Sequence, residues 1–235
     1  MIESNRDMTE PVDTAPESSH NTRELLKHSD RFPDLRNAGR ALALQLEAHR
    51  ATAQAIVLGI ALGGVPVAHE VAMHLDLSLD LVLVRRLLAP EGPASQICAM
   101  NVAGLTIIDD RIKVESRATT PLEHFLAQSI SELEERERTC RRGRPPVDLE
   151  ERTVILVDCG IRTGSTIDAA ISAIRRLRPR KLVAAVPVTS TEGAQLAEKL
   201  ADEFVYLAKP QTFINAGFWY RNFQRPGDQE VGDLL

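Results

Sequence analysis

The residues with the clearest chemical content lie in one run, Thr153-Val-Ile-Leu-Val-Asp158-Cys159-Gly160-Ile161-Arg162-Thr163-Gly164-Ser165-Thr166. Asp158 is a carboxylate that can accept hydrogen bonds from the hydroxyls of a sugar. Gly160 and Gly164 let the backbone turn its N–H groups toward one point, and Thr163, Ser165 and Thr166 add hydroxyl donors. The apolar run Val154 to Val157 reads as a short buried strand, and Ile167, Ile171, Ile174 and Leu177 recur at helical spacing. A strand, a loop of glycines and hydroxyls, and a helix N-terminus in that order make an anion cradle, because the helix end adds partial positive charge. The chemistry these residues can do is to hold a sugar phosphate. A plain strand-to-helix turn is the competing reading, but such turns seldom need two Thr, a Ser and two Gly together.

The spacing excludes two commoner phosphate loops. No Gly-Lys-Ser/Thr follows the glycines, and no Gly-x-Gly-x-x-Gly supports a dinucleotide site. The run resembles the phosphoribosyl-pyrophosphate motif of type I phosphoribosyltransferases, an apolar strand followed by two acidic residues and Gly-x-x-Thr-Gly-x-Thr. The resemblance covers roughly residues 30–235. It implies that Asp158 orients the ribose in catalysis and that Gly160, Ile161, Arg162, Thr163, Gly164, Ser165 and Thr166 hold the 5-phosphate. It also implies a second, pyrophosphate-binding loop after the first core strand, here Leu62, Gly63 and Gly64. Arg85 and Arg86, read as following a strand over 79–84, stand where the family often has basic residues on pyrophosphate oxygens. Arginine forks suit such oxygens, although solvated cations at a strand end are an equal reading.

Four positions depart from the family pattern. Cys159 stands where a second carboxylate is usual, and a thiol is a poor partner for a hard cation. Leu62 replaces a basic residue, Ala94 an acidic one, and Arg162 a small one. Cys159 reads as a small buried side chain or, beside an electropositive helix start, as a reactive thiol. His69 and His74, five residues apart, fall about 140° apart around a helix, and no metal site of the protein's own is expected. The chain is only 4% aromatic, yet Phe213 to Phe223 holds its single Trp, so this segment reads as a packed cap over the sheet edge. The alternative is that one of its rings stacks on an aromatic acceptor.

The elements that must position these residues follow from the remaining pattern. Residues 1–30 are polar and read as a flexible tail, with one domain over 31–235. Asp34 caps a first helix. Strands at 55–60, 79–84, 154–157, 182–188 and 204–207 alternate with helices, and 96–102 with 105–109 suggests a hairpin. The expected fold is therefore α/β and type I phosphoribosyltransferase-like, with a central parallel sheet, helices on both faces and a small hood. A helix over 121–142 carries Glu132–Arg136, Glu134–Arg138 and Glu137–Arg141 at i,i+4, which reads as a solvated face.

The net charge of −5 gives the molecule no electrostatic case for nucleic acid. No signal peptide or membrane span is evident, and three cysteines without framework spacing fit a reducing, cytoplasmic setting. The resemblance implies a partner in phosphoribosyl pyrophosphate or another phosphorylated ribose, with substrate-borne Mg²⁺. It implies transfer of the phosphoribosyl group to a nitrogen acceptor with release of pyrophosphate. The alternative is a non-catalytic sensor of the same fold, which Cys159, Leu62 and Ala94 favour. No nucleic-acid or membrane partner is expected, and homodimer formation stays open.

Overall fold

The computed structural model describes residues 31–88, 96–108 and 120–235. Ala94 and the tail expected over residues 1–30 lie outside the described residues. In chain order the elements are α1 (Leu35–Gln45), β1 (Ala55–Ile60), α2 (Gly64–Leu75), β2 (Ser78–Leu88), β3 (Gln96–Val102), β4 (Leu105–Ile108) and α3 (Thr120–Arg141). They continue with β5 (Thr153–Val157), α4 (Ser165–Arg176), β6 (Lys181–Val188), α5 (Thr191–Leu200), β7 (Glu203–Ala208) and α6 (Asp228–Leu234). Asp34 caps α1 by accepting from the Asn37 amide at 2.7 Å.

One seven-stranded sheet runs in the order β4-β3-β2-β1-β5-β6-β7. β2, β1, β5, β6 and β7 are mutually parallel, while β3 and β4 form the expected hairpin and pair antiparallel to β2. β5 is buried along its whole length and is the middle one of the five parallel strands. Burial on both faces explains its unbroken apolar run, since a half-exposed strand would alternate. Alternate residues feed two cores. Ile56, Leu58, Val154 and Leu156 pack with α4 residues Ile167, Ile171 and Ile174 on one face. Val57, Ile155 and Val157 pack with Leu42, Val67 and Val71 from α1 and α2 on the other. After β1 the chain moves to β2 on one side, and β5 lies on the other, so the sheet reverses direction between β1 and β5. Ligands of open α/β sheets collect at the carboxyl ends of strands at such a reversal.

Two expectations need correction. β2 extends through Leu88 because its second half pairs with β3, Arg85 opposite Ala99 and Arg86 opposite Cys98. The two arginines thus lie within a strand rather than after one. The charged half of α3 is also not simply a solvated face. Arg136 reaches Asp228 at 2.8 Å instead of Glu132, and Glu137 with Arg141 is nearly enclosed. The Arg141 guanidinium donates to Asp80 at 2.8 Å and to Glu137 at 2.6 Å, and Glu137 accepts from the Asn101 amide group at 2.7 Å. Asp80, only 2% exposed, also accepts from the amides of Leu81 at 2.7 Å and Val147 at 3.1 Å. This network clamps α3 and the segment before β5 onto β2 and β3. Removing one partner of such a buried pair leaves an uncompensated charge, so Asp80→Ala should lower stability by about 3–5 kcal/mol. Urea unfolding of the variant and the wild type measures this, and a change below about 1 kcal/mol would mean the network is not structural.

Candidate functional site

Two loops meet where β1 and β5 end. The first, Ala61 to Gly63, leads into α2, and its Ala61–Leu62 peptide bond is cis. The second, Asp158 to Gly164, leads into α4. Their contact is at backbone level: a Cβ on Gly64 would lie 2.7 Å from the Val157 carbonyl oxygen and 3.0 Å from the Asp158 Cα. Only glycine permits that approach. Both loops line one cleft of about 330 Å³, together with Ile60, Val84, Ala216 and Arg225.

The phosphate-loop segment is shaped by its neighbours. Ile161 spends its backbone on β6, donating to the Val188 carbonyl at 3.0 Å and accepting from the Ser190 amide at 2.9 Å. The Arg162 carbonyl accepts from the Ser190 hydroxyl, which itself accepts from the Gly193 amide at 2.9 Å and so caps α5. These bonds fix the backbone of residues 161 and 162, which line the cleft together with the turn beyond them. Gly164 makes that turn with φ of +83°, beside Leu196, at a conformation that favours glycine. No side chain caps α4, and the first backbone bond of its opening turn is Asp168 N–H to the Gly164 carbonyl at 2.8 Å. The preceding amides are those a helix leaves without intrahelical partners, so the uncapped end faces the cleft as a donor set. The Thr163 and Ser165 hydroxyl oxygens stand 3.4 Å apart at its rim.

Asp158 is the one carboxylate among the described residues that line this cleft. One of its oxygens accepts from the Cys159 amide at 2.7 Å. Burial pushes its carboxyl up to about 6, against the pull of that amide and of nearby Arg225. The same burial, with the neighbouring carboxylate, holds the Cys159 thiol well above its ordinary value. Cys159 is therefore a protonated, 6% exposed core residue, and the reactive-thiolate alternative falls because desolvation outweighs the helix end. The described residues contain no cluster of three or more His, Cys, Asp or Glu side chains that could hold a metal ion.

The structure brings together Asp158, Gly160 to Thr166, and Leu62 with Gly63 around the cleft, with Gly64 packed directly behind Asp158. Arg85 is not among them. Its guanidinium pairs with Glu132 in a neighbouring cavity that shares Ala61 and Val84 with the cleft. Arg86 belongs to the same strand. Two participants escape the motif. Tyr220 donates to the Cys159 carbonyl at 2.5 Å from a buried position, stacked obliquely between Phe32 and Phe223. The aromatic segment thus caps the carboxyl end of β5 rather than a sheet edge. Arg225 lies just beyond the aromatic run, and no local pattern marks it.

Comparison with known proteins agrees with this geometry. The phosphoribosyl transferase domain family matches residues 30–219. Proteins named "Putative phosphoribosyl transferase" in two strains of Mycobacterium tuberculosis are 36% identical over 205 residues. That match takes in 87% of this chain and 46% of theirs, so the chain spans about half the length of these relatives. The crystal structure of TT1426 from Thermus thermophilus is 36% identical, covers 87% of this chain and 97% of its own, and superposes with a TM-score of 0.74. The described residues include no helix long and apolar enough to cross a membrane. With the motif at the carboxyl end of the middle parallel strand and a family match across most of its length, the chain belongs to the phosphoribosyl transferase domain family.

Proposed function

We propose that this chain binds phosphoribosyl pyrophosphate and transfers its phosphoribosyl group to a nitrogen acceptor. The observation that carries this reading is the single cleft in which an uncapped helix N-terminus and a glycine loop flank one desolvated carboxylate. The 5-phosphate would sit on the amides and hydroxyls of residues 163–166, and Asp158 would accept from the ribose hydroxyls. The anomeric C–O bond breaks with its electron pair passing to pyrophosphate, and the acceptor nitrogen forms the new C–N bond. Holding both ends of the donor lowers the entropic part of the barrier. Substrate-borne Mg²⁺ would neutralise charge on the leaving pyrophosphate. The protein's own part is to orient the ribose and to keep water from the anomeric carbon.

A second reading, a sensor that binds the same ligand without turnover, is favoured by Cys159. Its buried thiol leaves Asp158 as the lone carboxylate among the described residues of the cleft. Calorimetry with phosphoribosyl pyrophosphate, with excess Mg²⁺ and with chelator, separates the readings. Mg²⁺-dependent binding with pyrophosphate release on adding acceptors supports the transferase, Mg²⁺-independent binding the sensor, and no binding neither.

Thr163→Ala and Thr166→Ala should weaken ribose 5-phosphate by roughly fivefold to tenfold each, since a hydrogen bond to a charged group is worth about 1.5–3 kcal/mol less its replacement by water. Asp158→Asn should weaken it less, because it meets neutral hydroxyls. Equal affinities for wild type and both threonine variants would reduce the loop to a turn.

Asp158 also predicts a pH signature in stability. Its folded value of about 6 exceeds the ordinary value of 3.8, so between these the folded chain holds a proton that the unfolded chain has released. Stability therefore falls as pH rises through this window, and above it the charged, desolvated carboxylate is a constant cost. Asp158→Asn should be more stable than wild type by about 1–3 kcal/mol at neutral pH, with the gap closing at acid pH. Urea unfolding across that range tests this, and a gap independent of pH would refute it.

A further inference from the structure

Among the described residues lining the cleft, the cations are Arg162 and Arg225. Arg162 belongs to the phosphate loop. Arg225 comes from the segment before α6, with its stem beside the glycine loop: a Cβ on Gly63 would lie 3.8 Å from the Arg225 Cγ and 3.0 Å from the Cys159 Sγ. Its guanidinium stands 5.2 Å from the Phe223 ring and makes no ion pair or hydrogen bond with the described residues. Several other arginines do pair with carboxylates, Arg85 with Glu132, Arg136 with Asp228, Arg142 with Asp233 and Arg175 with Asp202.

The position of Arg225 is fixed from both sides. Upstream, the Arg221 and Asn222 amides donate to the carbonyls of Phe32 at 2.8 Å and Pro33 at 3.0 Å. Downstream, the Gly227 amide donates to Glu230 at 2.7 Å as α6 begins, and the Leu234 carbonyl lies 2.9 Å from the His69 ring. A short span links these anchors, and Pro226 disfavours a helical backbone at Arg225. The chain therefore keeps a guanidinium without a hydrogen-bonded partner among the described residues at the glycine-loop wall of the cleft, near Asp158.

We propose that Arg225 binds the second anionic group of the ligand, so that the cleft selects a ribose charged at both ends over a ribose monophosphate. This rests on the phosphoribosyl reading and assigns its pyrophosphate end to the C-terminal segment rather than to Arg85, which Glu132 already holds outside the cleft. A guanidinium fork can take two oxygens of one pyrophosphate group, which the amides of the glycine loop cannot match in charge.

The test is calorimetry on the full chain with two separate probes, inorganic pyrophosphate with Mg²⁺ and ribose 5-phosphate. Arg225→Gln should weaken pyrophosphate by tenfold or more and leave ribose 5-phosphate within twofold, and Arg225→Lys should recover part of the loss. Arg225 is exposed, so these variants should melt with the wild type, which checks that the fold is intact. The inference is overturned if Arg225→Gln weakens both probes equally or neither. It is overturned as well if Arg85→Gln abolishes pyrophosphate binding while Arg225→Gln keeps it. A wild type that binds ribose 5-phosphate but not pyrophosphate overturns the inference alone. One that binds neither overturns the phosphoribosyl reading with it.

Discussion

The structure depends on how closely two backbones approach at the ends of β1 and β5. Gly64 leaves no room for a side chain between the start of α2 and the Val157–Asp158 peptide. That contact sets the width of the cleft, turns Asp158 toward it, and forces α2 to begin beside the strand that carries the phosphate loop. The parallel register of β1 and β5, with Gly59 opposite Val157, brings both loops to the same height. Every group assigned to ligand binding except Arg225 is hung from these two strand ends, and the cores on either face serve to keep them level.

Burial has opposite effects on neighbouring groups here. It keeps Asp158 partly protonated near neutrality and silences the Cys159 thiol, while the loop beyond keeps its donors open. The cleft thus holds one carboxylate whose charge is costly, with Arg162 and Arg225 among its lining residues. A stability cost concentrated on one cleft carboxylate is of the kind that functional sites carry.

Much of this was legible from local pattern. The run from Val154 to Thr166 reports its own strand, loop and helix because hydrophobic period and turn chemistry change within a few residues. The hairpin of β3 and β4, the alternation of strands and helices, and the cap at Asp34 are equally local. What stayed hidden is tertiary. β2 looked shorter because the partner for its second half comes from β3. Along α3 the expected Glu137–Arg141 pair forms, but Arg136 turns from Glu132 to Asp228, which lies far off in sequence but adjacent in space. Arg225 carries no signal at all, since its role comes from two anchors that only the fold reveals.

The contact between Phe32 and Tyr220 bears on how the molecule matures. These residues pair as an isolated bridge although nearly the whole described chain separates them, and Tyr220 in turn holds the carbonyl of Cys159. Contacts between such distant segments close late, because the entropy of joining them is recovered only once the intervening sheet exists. The five parallel strands can therefore be in place before the aromatic segment docks on the carboxyl end of β5. Docking of the C-terminal segment then reports completion of folding, and a nascent or partly unfolded chain would hold secondary structure long before the cleft has all its walls.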